Sequence, residues 1–127
     1  MTRALRRPRV LIADDHPGLV KAVSRLLTLE YDVVGSVGDS GGLLEAAQHL
    51  QPNVIVLDVN LPDGDSLTAC RQITQENPEV KVIVFTAWDD PEVRQRAFEA
   101  GASAVVDKLG PADGLLSAVK RLADPGD

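Results

Sequence analysis

With a single cysteine, Cys70, in 127 residues, the chain can form no internal disulfide. No apolar stretch approaches the roughly 20 residues that cross a bilayer. The N-terminus carries arginines but leads into no secretory apolar core or cleavage pattern. These absences point to a soluble, cytoplasmic protein. Residues 1–8 read as a mobile tail, and residues 124–127, Asp124-Pro125-Gly126-Asp127, as a C-terminal tail or the start of a linker. Basic charge is also sparse: four of the thirteen Lys and Arg residues lie at positions 3–9, so residues 10–127 hold nine cations against nineteen anions, a balance of −10. Nucleic-acid binding relies on cations that neutralise phosphates, so the folded body is not expected to touch DNA directly. The chain shows no internal repeat, low-complexity tract or domain boundary. At this length, with 44% hydrophobic residues, it predicts one domain with one core.

What is present is a recurrence. Val10-Leu11-Ile12-Ala13 runs into Asp14-Asp15, Val54-Ile55-Val56-Leu57 into Asp58, Val82-Ile83-Val84-Phe85 into Thr86, and Val105-Val106-Asp107 into Lys108. Continuous Val/Ile/Leu runs are the pattern of strands buried on both faces of a parallel sheet, whose sites form beyond the carboxyl ends of the strands. In such a sheet these five side chains would converge. Three carboxylates, a hydroxyl and an ammonium at one point would make a divalent-cation site with a nucleophile, a hydrogen-bond donor and a charge clamp.

Between the strands, helical spacing recurs. Leu19, Val20, Val23, Leu26 and Leu27 form one apolar stripe after His16-Pro17; Leu43, Leu44, Ala47 and Leu50 form another after the cap residue Asp39; Leu67, Cys70 and Ile73 form a third. Asp89-Asp90-Pro91 would cap a fourth helix with a thin face of Val93, Ala97 and Ala100, and Pro111 would open a fifth bearing Leu115, Leu116, Val119 and Leu122. A further strand reads from Asp32 to Val37. Five βα units in succession predict an α/β fold: a doubly wound, five-stranded parallel sheet, (βα)5 and flavodoxin-like, with helices on both faces.

Over residues 9–123 the sequence resembles a response-regulator receiver domain of two-component signalling. The resemblance rests on the acidic pair after the first strand, Asp after the third, Thr after the fourth and Lys after the fifth, all at family-like intervals. Asp14-Asp15-His16-Pro17, Leu57-Asp58-Val59-Asn60-Leu61-Pro62-Asp63-Gly64 and Gly101-Ala102-Ser103 are further similar to the branch whose members often carry a LuxR-type helix-turn-helix output. The resemblance implies that Asp58 accepts a phosphoryl group from a histidine kinase or phosphotransfer protein. It implies Mg2+, with Mn2+ as a substitute, held by Asp14, Asp15, Asp58 and the backbone carbonyl of Asn60. Thr86, the backbone N–H of Ala87 and Lys108 would hold the phosphoryl oxygens. It also implies a conformational switch controlling an output domain or partner in transcription, with DNA reached only through an output domain, and a homodimer on phosphorylation. The domain would be a signalling module that catalyses only its own phosphorylation and dephosphorylation.

Two positions depart from the family pattern: Val105 replaces an aromatic residue three positions before the lysine, and Leu109 follows the lysine where many receivers have proline. Val105 offers no polar edge, so the departure suggests a signal carried by displacement of the fourth helix. His16 and His49 read as structural or exposed, since no Cys or second His stands at ligand spacing. Cys70 reads as a small core residue, and Trp88 as a loop aromatic that shields the site, meets a partner or simply packs. Two rival readings are weaker. A pseudo-receiver that signals without phosphorylation would not need the acidic triad with Thr86 and Lys108. An aspartate-nucleophile phosphohydrolase of the haloacid-dehalogenase type resembles Asp-x-Asp after its first strand and needs room for a cap domain.

Overall fold

The computed structural model describes residues 7–123 apart from Asp89 and Ala112; the remainder of both expected tails lies outside the described residues. Ten elements alternate in chain order: β1 (Arg9–Ala13), α1 (Pro17–Thr28), β2 (Asp32–Val37), α2 (Ser40–Leu50), β3 (Val54–Leu57), α3 (Ser66–Glu76), β4 (Lys81–Thr86), α4 (Pro91–Glu99), β5 (Ala104–Asp107) and α5 (Gly114–Ala123). The strands form one parallel sheet in the order β2-β1-β3-β4-β5. The doubly wound architecture predicted from the apolar runs is the one observed.

Side-chain alternation along these runs builds two cores, one on each face. Leu11, Ala13, Ile55, Leu57, Val82, Val84 and Val105 pack with Leu43, Cys70 and Ile73 of α2 and α3. Val10, Ile12, Val54, Val56, Ile83 and Ala104 pack with Val23 and Leu27 of α1 and Leu115 and Val119 of α5. A strand buried on both faces needs apolar residues at every position, which is why the runs are continuous rather than alternating. Burial pushes the Cys70 thiol up to about 11, so it stays a protonated core group.

Local sequence sets most helix starts. The Asp39 side chain accepts from the Gly42 N–H at 2.7 Å, and Asp90 accepts from the Val93 N–H at 2.9 Å with Pro91 in the first turn. Two expectations need correction. Pro111 does not open α5; the helix begins at Gly114, whose N–H donates to the Pro111 carbonyl at 3.0 Å, because a preceding turn places the proline outside the helix. Leu26 is 37% exposed, at the edge of the α1 stripe rather than within it. The thin face of α4 is as predicted: Ala97 is its one buried residue among those described.

β1 has β2 on one side and the central strand β3 on the other, so the chain leaves β1 and β3 toward opposite faces and a crevice opens beyond their carboxyl ends. Register decides what stands there. Ala13 pairs with Leu57 and Thr86 with Asp107, so Asp14 and Asp58 emerge level with each other while Thr86 and Lys108 rise beside them.

Candidate functional site

Asp14 and Asp58 are carried past their strands by two further rungs: the Asp14 N–H donates to the Val37 carbonyl and the Asp58 N–H to the Ala13 carbonyl, both at 2.9 Å. Their side chains are nearly sealed, whereas Asp15 is exposed. Lys108 reaches in from the end of β5. Its Nζ donates to Asp14 Oδ2 at 2.8 Å and to Asp58 Oδ2 at 3.2 Å, and it stands 5.7 Å from the centroid of the Phe85 ring. Two buried anions without a cation would be costly, so the lysine is their counter-charge. The Phe85 face holds the ammonium from the other side, so the turn at Leu109 leaves Lys108 well held without proline.

The remaining expected groups surround this core. The Asn60 N–H donates to Asp58 Oδ1 at 3.0 Å, which lays that peptide against the carboxylate. Thr86 is fully buried, and its hydroxyl oxygen accepts from the Trp88 N–H at 3.0 Å; Ala87 between them is exposed. Trp88 is 64% exposed and, with Leu61, Leu67, Val93 and Arg96, borders a groove of about 520 Å³ between α3 and α4. It does not pack into either core.

Three supports were not anticipated. Ser66 Oγ donates to the Asp58 carbonyl at 2.9 Å, fixing the strand end from α3. Asp63 accepts from the Ser40 N–H at 2.9 Å and Ser40 Oγ at 2.8 Å, tying the loop that carries Asn60 to the start of α2; these bonds hold the Asp63 carboxyl below the ordinary carboxylate value. The third is His16. Its ring is 65% exposed, yet Nδ1 lies 2.9 Å from Asp14 Oδ1, 3.2 Å from Asp15 Oδ1 and 3.9 Å from Asp58 Oδ2. The bond to Asp14, then the charges of Asp14 and Asp15, raise its pKa above the ordinary imidazole value. Only the contiguity of Asp14-Asp15-His16 hinted at this; spacing rules that look for a second His or Cys pass over a lone imidazole among carboxylates.

Ligand atoms of Asp14, Asp15, His16 and Asp58 all lie within 4.8 Å of one another. Hard carboxylate oxygens at that separation suit a small divalent cation, so the residues present fit Mg2+. For Asp14, burial pushes the carboxyl pKa up, but bonds from Lys108 and His16 outweigh it and leave the value below the ordinary 3.8. A depressed carboxyl stabilises the fold fully above its unfolded value and loses that contribution as pH falls through the folded one. In chelating buffer we therefore expect the urea midpoint to fall below pH 3.8, and Asp14→Asn to flatten that fall. An equally steep fall in the variant would remove Asp14 from the acid transition.

Comparison with known proteins agrees with this geometry. The model of the response regulator receiver domain matches residues 10–120. This chain belongs to the response-regulator receiver domain family. Among curated relatives of the receiver, the transcriptional regulatory protein DegU of Brevibacillus brevis is 33% identical over 120 residues, covering 93% of this chain and 51% of that protein. The receiver spans about half the length of the curated relatives it matches. A two-component response regulator of the LuxR family from Aurantimonas sp. SI85-9A1 superposes with a TM-score of 0.88 at 28% identity, over 94% of this chain and 86% of that one. The isolated REC domain of RcsB from Salmonella enterica serovar Typhimurium, solved in the presence of phosphomimetic BeF3−, does so with a TM-score of 0.85 at 27% identity, over 96% and 91%. The family and fold implied by the sequence are those found. Among the described residues, no helix is long and apolar enough to cross a membrane.

Proposed function

We propose that this receiver takes a phosphoryl group from a histidine kinase or phosphotransfer protein onto Asp58, in a reaction dependent on Mg2+ or Mn2+, and switches conformation to control an output domain or partner in transcription. One observation carries the reading: Lys108 bridges the buried carboxylates of Asp14 and Asp58 at the mouth of the crevice, with Asp15 beside them.

The Asp58 carboxylate is the nucleophile. Its oxygen forms a bond to phosphorus as the bond from phosphorus to the donor's imidazole nitrogen breaks, leaving an acyl phosphate on Asp58 and a neutral donor once that nitrogen has regained its proton. Asp14, Asp15, Asp58 and the Asn60 carbonyl would hold the cation, which when bound neutralises charge on the transferring oxygens. Lys108 exchanges its contact with Asp58 Oδ2 for a phosphoryl oxygen, keeping one charge-assisted bond throughout. The Ala87 N–H donates to another oxygen.

Thr86 couples chemistry to shape. Its hydroxyl oxygen now accepts from Trp88, and turning the hydroxyl toward a phosphoryl oxygen draws the loop after β4 with it. Moving a population from 1:99 to 99:1 takes about 5.5 kcal/mol. Two or three new charge-assisted hydrogen bonds of about 1.5–3 kcal/mol each can supply that bias. Val105 is a buried β-branched side chain without a polar edge, so the displacement passes to α4, which rests on Ala97 and Ala100 and yields readily. The names of the DegU and LuxR-family relatives support a transcriptional output.

Beryllofluoride with Mg2+ tests the reading. As a mimic of the acyl phosphate it should shift the emission of Trp88, the one tryptophan, whose N–H holds Thr86 at rest. Silence at saturating Mg2+ would favour a receiver fold that signals by contact alone.

A further inference from the structure

Beside the Lys108 ammonium, the described acid cluster contains one side-chain nitrogen able to ligate a cation that the proposed Mg2+ site does not use. Pro17, at the first turn of α1, bars the α region for the residue before it, and His16 is extended at φ −99°, ψ 102°. Its own N–H donates to Asp14 Oδ1 at 2.9 Å, so the backbone is pinned to the cluster from both sides. The ring is thereby delivered to the solvent-facing mouth, on the side that Lys108 leaves open. Lys108 takes the Oδ2 atoms of Asp14 and Asp58, while His16 Nδ1 faces Asp14 Oδ1 and Asp15 Oδ1.

These separations are those of donors around one ion. Six ligands at about 2.1 Å in an octahedron stand about 3.0 Å apart when adjacent and about 4.2 Å apart when opposite. The distances from Nδ1 to Asp15 and Asp58, 3.2 and 3.9 Å, fall within that span, and the hydrogen-bonded 2.9 Å to Asp14 lies just short of it. An imidazole among carboxylates also changes which metal is favoured. Magnesium prefers oxygen and water, whereas Co2+, Ni2+ and Zn2+ gain from nitrogen.

We propose that His16 Nδ1 is an additional ligand at the cation site, giving this receiver a preference for late first-row divalent ions over Mg2+. The inference rests on the reading of the acid cluster as a cation site. Ligation requires the Nδ1 lone pair, with the ring proton on Nε2, and displaces the present contact to Asp14.

The sequence allows a clean test. It holds two histidines, and the other, His49, lies on α2 against the Glu45 carbonyl; Cys70, the one thiol, is buried. In untagged protein carrying His49→Gln, any imidazole signal on a bound metal therefore belongs to His16. Electron spin-echo modulation of bound Mn2+ should show coupling to a directly ligated 14N, and His16→Ala should abolish it. By calorimetry His16→Ala should lose at least the roughly 10–100-fold in Co2+ affinity that loss of a mere outer-shell partner costs and keep its Mg2+ affinity. His16 makes no side-chain cap bond, so α1 should survive the change, which circular dichroism checks. Mn2+ bound without 14N coupling would overturn the proposal, as would equal losses for both metals. A gain in Mg2+ affinity on removing the ring would also overturn it, marking His16 as a competitor for the carboxylates. If neither Mg2+ nor Mn2+ binds the parent protein, or if Asp15→Asn leaves binding intact, the cation-site reading itself fails.

Discussion

Asp58→Asn should leave no phosphoryl label above background when the receiver is incubated with acetyl phosphate and Mg2+ and read by intact mass. The amide cannot attack phosphorus, and none of the neighbouring carboxylates replaces it. Asp14 is held more tightly than Asp58, with Lys108 at 2.8 Å against 3.2 Å and the His16 N–H at 2.9 Å against the Asn60 N–H at 3.0 Å, while Asp15 lies at the open mouth without the bracing that Ser66 and Asn60 give Asp58. The substitution is nearly isosteric and its amide oxygen can still accept from the Asn60 N–H, but its NH2 then faces Lys108 in place of Oδ2, so circular dichroism of the variant separates loss of label from loss of fold. Lys108→Ala should label far more slowly rather than not at all, since the nucleophile remains. Thr86→Ala should label and yet lose the Trp88 emission change, because the hydroxyl that links the phosphoryl group to the loop is gone. Persistent label on the Asp58 variant would place the acceptor elsewhere.

Gly101→Ala should cost about 3 kcal/mol or more, lowering the melting temperature by about 10 °C. Gly101 has φ +101°, where an L side chain is strained, and a Cβ there would stand 2.2 Å from Thr74 Oγ1 and 2.9 Å from Thr74 Cβ. Thr74 cannot step aside cheaply. Its hydroxyl is bonded to the Cys70 carbonyl at 3.0 Å and to the Ala100 carbonyl at 3.2 Å, joining the end of α3 to the end of α4. Gly18→Ala is the counter-case: on α1, with nothing within 4 Å of the added Cβ, it should stabilise by about 0.4–1 kcal/mol. Differential scanning calorimetry of the two variants decides the matter. A small loss at Gly101 would mean that the junction of α3 and α4 gives way easily.

On the proposed reading, that junction would also shape the switch. α4 is tied to α3 at its C-terminal end through Thr74, while the groove beside Trp88 and Val93 separates the two helices near the start of α4. Movement of the loop after β4 would therefore act on the freer end of the helix.

Patterns with a short physical range were legible in the chain. Continuous apolar runs could only be strands covered on both faces, and Asp39 and Asp90 announced their helices because a cap bonds two or three residues ahead. The start of α5 was misplaced because Pro111 suits a preceding turn as well as a first helical turn. Phe85 over Lys108, Ser40 with Asp63 and Thr74 against Gly101 were not legible, since each joins residues that are distant in sequence and ordinary in isolation. His16 was read as structural or exposed; it is exposed, but its nitrogen points among the acids.

From its residues alone, then, this protein's parallel sheet, its five alternating helices and the set of side chains at the strand ends were determined, because apolar periodicity obliges each run to be buried and leaves the polar residue after it at the edge. Register and close contact were decided only in three dimensions. Which carboxylate oxygens Lys108 takes, which partner holds Thr86 at rest and where the His16 ring rests depend on distances of about 3 Å between segments up to 94 residues apart, and no local pattern carries that information.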